Sequence, residues 1–398
     1  MLLRNLGSTG LEIGEIGLGT ALFEYHAGTT KQEDVVATIR YAVERGVNYI
    51  DLPLLQFREA AGVALKGIRN KVLISGHLGN CDQNGAYCVS RDVPTCRDSF
   101  HDLLSKLHTD HVDVLFLHNV DQEDDYAKVF DEEGFLGLAL KFKREGKARF
   151  LALSTHVTSI ALKAVSSGKI DAIMFPVNPA HDLLPGNIGY GGYFAPDSFR
   201  RRFDTTPYIH EERKELYLTC FDKGVGLIAM KVYAGGLLLK QGRYIGEASS
   251  AKEIRSSMSI ALSEAKCLSY ALSQPGVSTT VPGCANLGEV KAALSYLDAS
   301  PDEKDFSSID SNALWKLRCK CVYCNHCLPC SEGINIGSVM KLLDTAELSI
   351  SRKIVEEYRM LVKRASDCTS CGDCLQRCPF GVPVIDRMER ANELLDIS

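Results

Sequence analysis

Apolar positions along the chain fall into two alternating patterns. Short runs rich in β-branched residues, at 16–19, 49–51, 72–75, 112–117, 150–153, 172–175, 226–230 and 278–281, read as buried strands. Between them, stretches such as 31–45, 98–107, 135–145 and 287–297 carry apolar residues at helical spacing. Eight such strand–helix units predict an α/β fold with a closed parallel (β/α)8 TIM barrel over residues 1–299, although a doubly wound sheet would give similar local signals. The rhythm breaks at 178–210, a connection rich in Gly, Pro and aromatic residues that follows the sixth strand. A loop this long is either a lid or a tolerated surface excursion, and its place on the catalytic rim of a barrel favours the lid. Arg200, Arg201 and Arg202 within it offer either an anion contact or a solvated surface. Residues 300–305 read as a linker, and residues 300–398 as a second module with helices near 336–348 and 351–364.

Bulk properties narrow the function classes. The chain has 398 residues, enough for one large domain and a minor one. An apolar content of 45%, a charged content of 24%, a net charge of -5 and a pI near 6.1 are globular values. They give no electrostatic reason to expect nucleic acid or an anionic membrane as partner. The start turns polar too soon for a secretory signal, and no apolar run is long enough to span a bilayer. The expectation is a cytoplasmic protein, in which 15 cysteines serve as ligands or free thiols rather than disulfides.

Eight of those cysteines form two runs. The second, Cys368, Cys371, Cys374 and Cys378 followed by Pro379, has the C-x2-C-x2-C-x3-C-P spacing of two-cluster ferredoxins. The first, Cys321, Cys324, Cys327 and Cys330, is one residue shorter before its last thiol, and Ser331 stands where proline is usual. In that arrangement three thiolates of one run and the last of the other hold each [4Fe-4S] cluster. Cys321, Cys324, Cys327 and Cys378 are assigned to one cluster, and Cys368, Cys371, Cys374 and Cys330 to the other. Structural zinc also uses paired CxxC motifs, but it has no need of three successive steps and a final Cys-Pro. Cys319 is a spare. Cys220, Cys267 and Cys284 read as small core residues, and Cys81, Cys88 and Cys96 as free thiols in a loop after the third strand.

Reactive side chains of a barrel sit just past the C-terminal ends of its strands. Those positions hold Thr20, Asp51, His77, His118, Ser154, Thr155, His156, Asn178, Lys231 and Gly283. A carboxylate, three imidazoles and an ammonium on one face suit proton transfer.

The chain resembles the aldo/keto reductase family, in particular its iron-sulfur branch with a ferredoxin-like C-terminal extension. The resemblance is carried by residues 4–10 (RNLGSTG), 46–51 (GVNYID), 113–118 (DVLFLH), 146–149 (GKAR), 226–236 (GLIAMKVYAGG) and 282–283 (PG), together with both cysteine runs. It implies a catalytic set of an Asp, a Tyr five residues later, a Lys after the third strand and a His after the fourth. In that set the phenol protonates a carbonyl oxygen as hydride arrives from NADPH. Asp51 and His118 match; Gln56, beside Phe57, stands at the Tyr position and His77 at the Lys position. An amide cannot give up and regain a proton near neutral pH as a phenol or imidazole can. The candidate catalytic residues are therefore Asp51, His77, His118, Lys231, Gln56 and His156, with His77 or His118 as acid. Ser154, Thr155, Asn178, Gly283 and Glu289 are the candidate cofactor contacts. Met174 replaces the family's amide-binding Gln and Ala293 a usual Asn.

Four readings follow. The favoured one is an iron-sulfur oxidoreductase in which reduced ferredoxin feeds electrons through two [4Fe-4S] clusters to a small molecule, or to a flavin, at the barrel mouth. The second is an NAD(P)H-dependent carbonyl reductase with a non-standard acid. The third is an electron-transfer subunit on a degenerate barrel, and the fourth a lyase or dehydratase without net redox change.

Overall fold

The computed structural model describes residues 1–25, 30–83, 86–182, 211–236, 238–239, 262–306, 321, 327–347, 350, 352–378 and 381–396. They divide into two compact units. The first holds the described residues of Met1–Asn178, His210–Val232 and Glu264–Phe306, and the second those of Pro179–Ile209, Tyr233–Ser263 and Ser307–Ser398.

The first unit opens with an antiparallel hairpin, β1 (Leu3–Asn5) and β2 (Glu12–Gly14). Parallel strands follow: β3 (Leu18–Gly19), β4 (Tyr49–Asp51) and β5 (Leu73–Leu78). A second hairpin, β6 (Asn80–Gln83) and β7 (Ala86–Val89), interrupts them. The parallel series resumes with β8 (Val112–Leu117), β9 (Ala148–Ser154), β10 (Ala172–Pro176), β11 (Gly226–Met230) and β12 (Val277–Val281). The sheet order β12-β11-β10-β9-β8-β5-β4-β3 uses all eight strands expected from the sequence. Parallel bridges Ile16↔Thr280 and Gly19↔Gly283 join its ends and close it into a barrel. That excludes the doubly wound alternative, whose sheet has open edges.

Inward side chains fill the barrel. Tyr49, Val114, Phe116, Ala152, Ala172 and Ile228 are buried there, and Leu6, Leu11 and Ile13 of the first hairpin join the same cluster. The hairpin's turn reaches the loop before β11, where Ser8 N donates to Gly224 O at 2.7 Å. It therefore lies at the N-terminal end, leaving the C-terminal ends for chemistry.

Three expectations are revised. The loop after the third barrel strand is the β6–β7 hairpin, with Cys81 and Cys88 paired across it and Cys96 in the following helix, Val93–Lys106. That helix begins five residues before the expected 98, because Asp92 caps it by accepting from Thr95 N and a proline sits in its first turn. The expected linker at 300–305 contains a helical turn, Pro301–Lys304, closed by a capping box from Ser300 and Glu303. Most of the expected lid, Arg200, Arg201 and Arg202 included, lies outside the described residues.

In the second unit, helices Ile336–Ala346, Arg352–Arg359 and Val384–Leu395 bury Val339, Met340, Leu343, Tyr358, Met388 and Leu395 in a small core of their own. Apolar spacing predicted the first two of these helices, the second ending earlier than expected.

Helix Arg58–Leu65 packs closely on helix Val93–Lys106. Arg58 is buried, donating to Leu54 O and Ser99 O and pairing with Asp102 at 2.7 Å. A β-carbon on Gly62 would collide with the Lys106 carbonyl oxygen. Alanine favours a helix over glycine by about 1 kcal/mol, but overpacking against backbone costs about 1–3 kcal/mol. Gly62→Ala is accordingly expected to lower unfolding stability by up to about 2 kcal/mol net in chemical denaturation; a stabilised variant would show that the helices move apart freely.

Candidate active site and cysteine cavity

The strand ends bring the expected groups together. Asp51 closes β4, His77 lies near the end of β5, and His118 follows β8. Their relative exposures are 6%, 7% and 9%, so their polar atoms must find partners in the protein. Asp51 Oδ1 accepts from Ser75 Oγ at 2.6 Å and lies 2.8 Å from His77 Nε2. His77 Nδ1 is 2.9 Å from His118 Nδ1, and His118 Nε2 is 2.9 Å from the phenolic oxygen of Tyr87. These contacts form one continuous hydrogen-bonded chain: Asp51, His77, His118, Tyr87.

Neighbours hold the chain in place. The His77 ring stacks on Phe116 at 4.9 Å between centroids. Thr20 Oγ1 donates to Asp51 O, and His118 N to Leu78 O. Arg91 donates to the carbonyls of His118 and Asn119 and pairs with Asp125. The chain's outer member, Tyr87, is half-exposed on β7.

A second chain starts from Asp121. Its carboxylate accepts from Thr155 Oγ1, from His156 N, and from the His156 ring at 2.9 Å. Lys231 Nζ lies 2.7 Å from His156 Nε2, and Asn178 Nδ2 donates to Lys231 O. Lys231 has φ +54, a left-handed conformation that costs an ordinary residue about 1–2 kcal/mol. The Asn178 bond to its carbonyl offsets part of that cost.

The sequence reading placed Asp51, His77, His118, His156 and Lys231 correctly at the mouth, but two features of the site differ from it. Gln56 is exposed, before helix Arg58–Leu65, and is not a member of either chain. Tyr87 and Asp121 were missed. Asp121 lies three residues beyond His118 and so could have been found by extending the search past the strand end, whereas Tyr87 depends on a hairpin that gave only a weak alternating pattern.

The candidate cofactor contacts are largely engaged by the protein itself. Ser154 Oγ accepts from Asn119 N at 2.8 Å, Thr155 Oγ1 donates to Asp121, and Asn178 holds Lys231. Gly283 takes part in barrel closure, and Glu289 accepts from Ala285 N while Asn286 caps the same helix. Met174 is buried. Ser154 keeps its hydroxyl proton, and Asn119 Oδ1 is a buried acceptor without a hydrogen-bond partner. A nicotinamide carboxamide would therefore find one donor and one acceptor here, a partial fit.

In the second unit, Cys327, Cys330, Cys368, Cys371 and Cys374 line a single cavity beside Ile334, Ile336 and Met388. Burial first, and then the neighbouring thiols of Cys368, Cys371 and Cys330, push the Cys374 thiol up to about 11. Cys321 and Cys378 pack on the same core, while Cys319 and Cys324 lie outside the described residues. Among the described residues, no three His, Cys, Asp or Glu are arranged to hold a single metal ion. Cys220, Cys267 and Cys284 are buried, as expected of core residues. No helix among the described residues is long and apolar enough to cross a membrane.

A profile of the aldo/keto reductase family matches residues 15–183 and 202–313. The L-galactose dehydrogenase of Arabidopsis thaliana is 24% identical over 332 residues, covering 78% of this chain and 93% of its own. An uncharacterized oxidoreductase of Bacillus subtilis is 23% identical over 321 residues, covering 74% and 91%. An aldo-keto reductase from Bacillus halodurans, in its holo form, shares the fold with a TM-score of 0.55 at 20% identity, covering 80% of this chain and 96% of that one.

Burial holds the His118 imidazole well below its ordinary pKa, aided by the positive charge of His77, Arg91, His156 and Lys231. An unfolded histidine takes up a proton near pH 6.5. Below about that pH the unfolded chain binds a proton that folded His118 refuses, so its contribution to stability is full above pH 6.5 and is lost as pH falls toward the depressed folded value. Denaturation midpoints measured from about pH 7 to 5 should fall, and His118→Gln should flatten the fall by up to about 1.4 kcal/mol per pH unit. An unchanged slope in the variant would mean that His118 titrates as an exposed histidine does.

Proposed function

The chain belongs to the aldo/keto reductase family and is an oxidoreductase, and from that premise we propose that it reduces the carbonyl of a small molecule with electrons received through two [4Fe-4S] clusters. The observation that carries this reading is the gathering of Cys330 with Cys368, Cys371 and Cys374 at one cavity. Cys330 is 38 residues from Cys368, and the two-cluster spacing requires the last thiol of one run to join the first three of the other. Cys368, Cys371, Cys374 and Cys330 would hold one cluster, and Cys321, Cys324, Cys327 and Cys378 the second. When bound, such clusters supply single electrons at potentials set by their surroundings. Reduced ferredoxin fits as the donor.

At the barrel mouth the chain's own residues handle protons. Asp51 orients His77 and stabilises positive charge on it, and burial of the imidazoles keeps competing water from their ring nitrogens. Lys231, positioned through His156 and Asp121, provides positive charge for developing negative charge on a substrate oxygen.

A second reading, hydride transfer from NAD(P)H, is favoured by the family match and by the Ser154 hydroxyl and the unpartnered Asn119 oxygen. Against it stand the loss of the amide-binding Gln at Met174 and the engagement of Thr155 and Glu289 elsewhere.

Anaerobic reconstitution followed by iron and labile-sulfide assay tests the cluster reading. About eight of each per chain are expected, falling by about half in Cys374→Ala and remaining full in Cys96→Ala. Stoichiometric zinc without sulfide would overturn it. Reduction of benzaldehyde by reduced methyl viologen, but not by NADPH, is the expected donor preference; the opposite result would establish the second reading.

A further inference from the structure

Gln56 occupies the position of the family's proton donor and cannot serve, yet a phenol is still present at the mouth. It comes from another element: Tyr87, on β7 of the hairpin that follows β5. We infer that Tyr87 is the catalytic acid of this barrel, the outer end of a proton relay running through His118 and His77 to Asp51. This rests on the reading of the mouth as a carbonyl-reducing site and is independent of which donor supplies the electrons.

The atoms that meet in the chain set its logic. Asp51 is surrounded by donors, Ser75 Oγ and His77 Nε2, so its carboxylate accepts both. His77 therefore keeps a proton on Nε2. When the chain carries no extra proton, His77 Nδ1 is bare and accepts from His118 Nδ1–H, which leaves His118 Nε2 bare to accept from the Tyr87 O–H. All three bonds then point inward, from Tyr87 to Asp51. When the chain carries one extra proton, they reverse outside Asp51. His77 becomes an imidazolium donating from Nδ1 to His118, His118 donates from Nε2 to the Tyr87 oxygen, and the phenolic O–H is turned outward. The Nδ1-to-Nδ1 contact between the two rings is what permits both states, since each ring can act as either donor or acceptor there.

The charge distribution selects where the extra proton resides. His118 is buried with the positive charges of Arg91 and Lys231 acting on it, whereas His77 is bonded directly to the Asp51 carboxylate. His77 is the store and His118 the conductor. Tyr87 alone of the four is half-exposed, so it is the member that a substrate can reach.

In the reduction step, the carbonyl carbon receives a hydride equivalent (two electrons and one proton) from the reductant, a reduced nicotinamide or the cluster route with a solvent proton. The carbonyl π pair becomes the lone pair on oxygen, which takes the Tyr87 proton. The phenolate takes the proton of His118 Nε2, and His118 Nδ1 takes that of His77 Nδ1. Neutral His77 remains bonded to the Asp51 carboxylate. The net change is the loss of one proton from the His77 imidazolium, replenished from solvent before the next cycle.

The test combines kinetics with a readout that needs no turnover. Full-length Tyr87→Phe, with Tyr41→Phe on helix Gln32–Glu44 as the control for loss of a phenol elsewhere, is assayed on benzaldehyde with NADPH or reduced methyl viologen. Turnover is expected to fall about 100-fold or more while KM changes by less than about twofold. In ¹⁵N-histidine-labelled protein, Tyr87→Phe removes the O–H that keeps His118 Nε2 bare. Loss of the Tyr87 oxygen also removes the acceptor of His118 Nε2–H in the proton-loaded state, so long-range ¹H–¹⁵N spectra should show His118 Nε2 and His77 Nδ1 losing proton occupancy together while His77 Nε2 keeps its proton. A merely structural phenol would leave His77, two bonds further along the chain, unchanged. Wild-type turnover in Tyr87→Phe, or an unmoved His77 signal, overturns the relay. If the wild type reduces the probe with neither donor, the carbonyl-reducing reading fails, and the His77 signal still decides whether the relay exists.

Discussion

Everything at the mouth depends on the closure of the barrel between its first and last strands. Gly17 N and Gly19 N donate to Thr280 O and Pro282 O, and Thr280 N and Cys284 N donate back to Glu15 O and Gly19 O. A β-carbon on Gly19 would lie about 3.0–3.1 Å from the carbonyl oxygens of Val281 and Pro282, so a larger residue would press on the seam. An open sheet would leave these groups unpaired. It would also spread strand ends that closure directs to one face, so the juxtaposition of Asp51, His77, His118 and Lys231 follows from the topology.

Two buried carboxylates then divide the work. Asp51 and Asp121 each anchor an imidazole, and each imidazole contacts a further group, His118 in one case and Lys231 in the other. Burying a carboxylate is costly unless it is paired and hydrogen-bonded, and both are. The positive charges of the second chain bear on His118 in the first, so the two form one electrostatic system.

Legibility in the sequence followed the range of the interactions involved. All eight barrel strands could be read because strands buried on both faces leave continuous apolar runs. His77, His118 and Lys231 could be read because strand ends are fixed positions in a barrel. The β6–β7 hairpin reads as a loop in the sequence, since Asn80–Gln83 and Ala86–Val89 are four residues each, the first of them polar, and pair only with each other. Tyr87 was lost with it. Gln56 is a candidate on family position alone, and position in a motif does not determine where a side chain lies. The cysteine spacing could be read because it is a local pattern in the sequence, independent of how the helices around it pack.

The strands and the hairpin also differ in how easily they can be altered. Asp51, His77 and His118 lie on or directly beside barrel strands, where a register shift of one residue would turn each side chain to the opposite face. Tyr87 belongs to a surface hairpin that pairs with no barrel strand. The imidazoles are thus fixed by the scaffold, while the phenol sits on an element that can be lengthened, lost or replaced without disturbing the sheet.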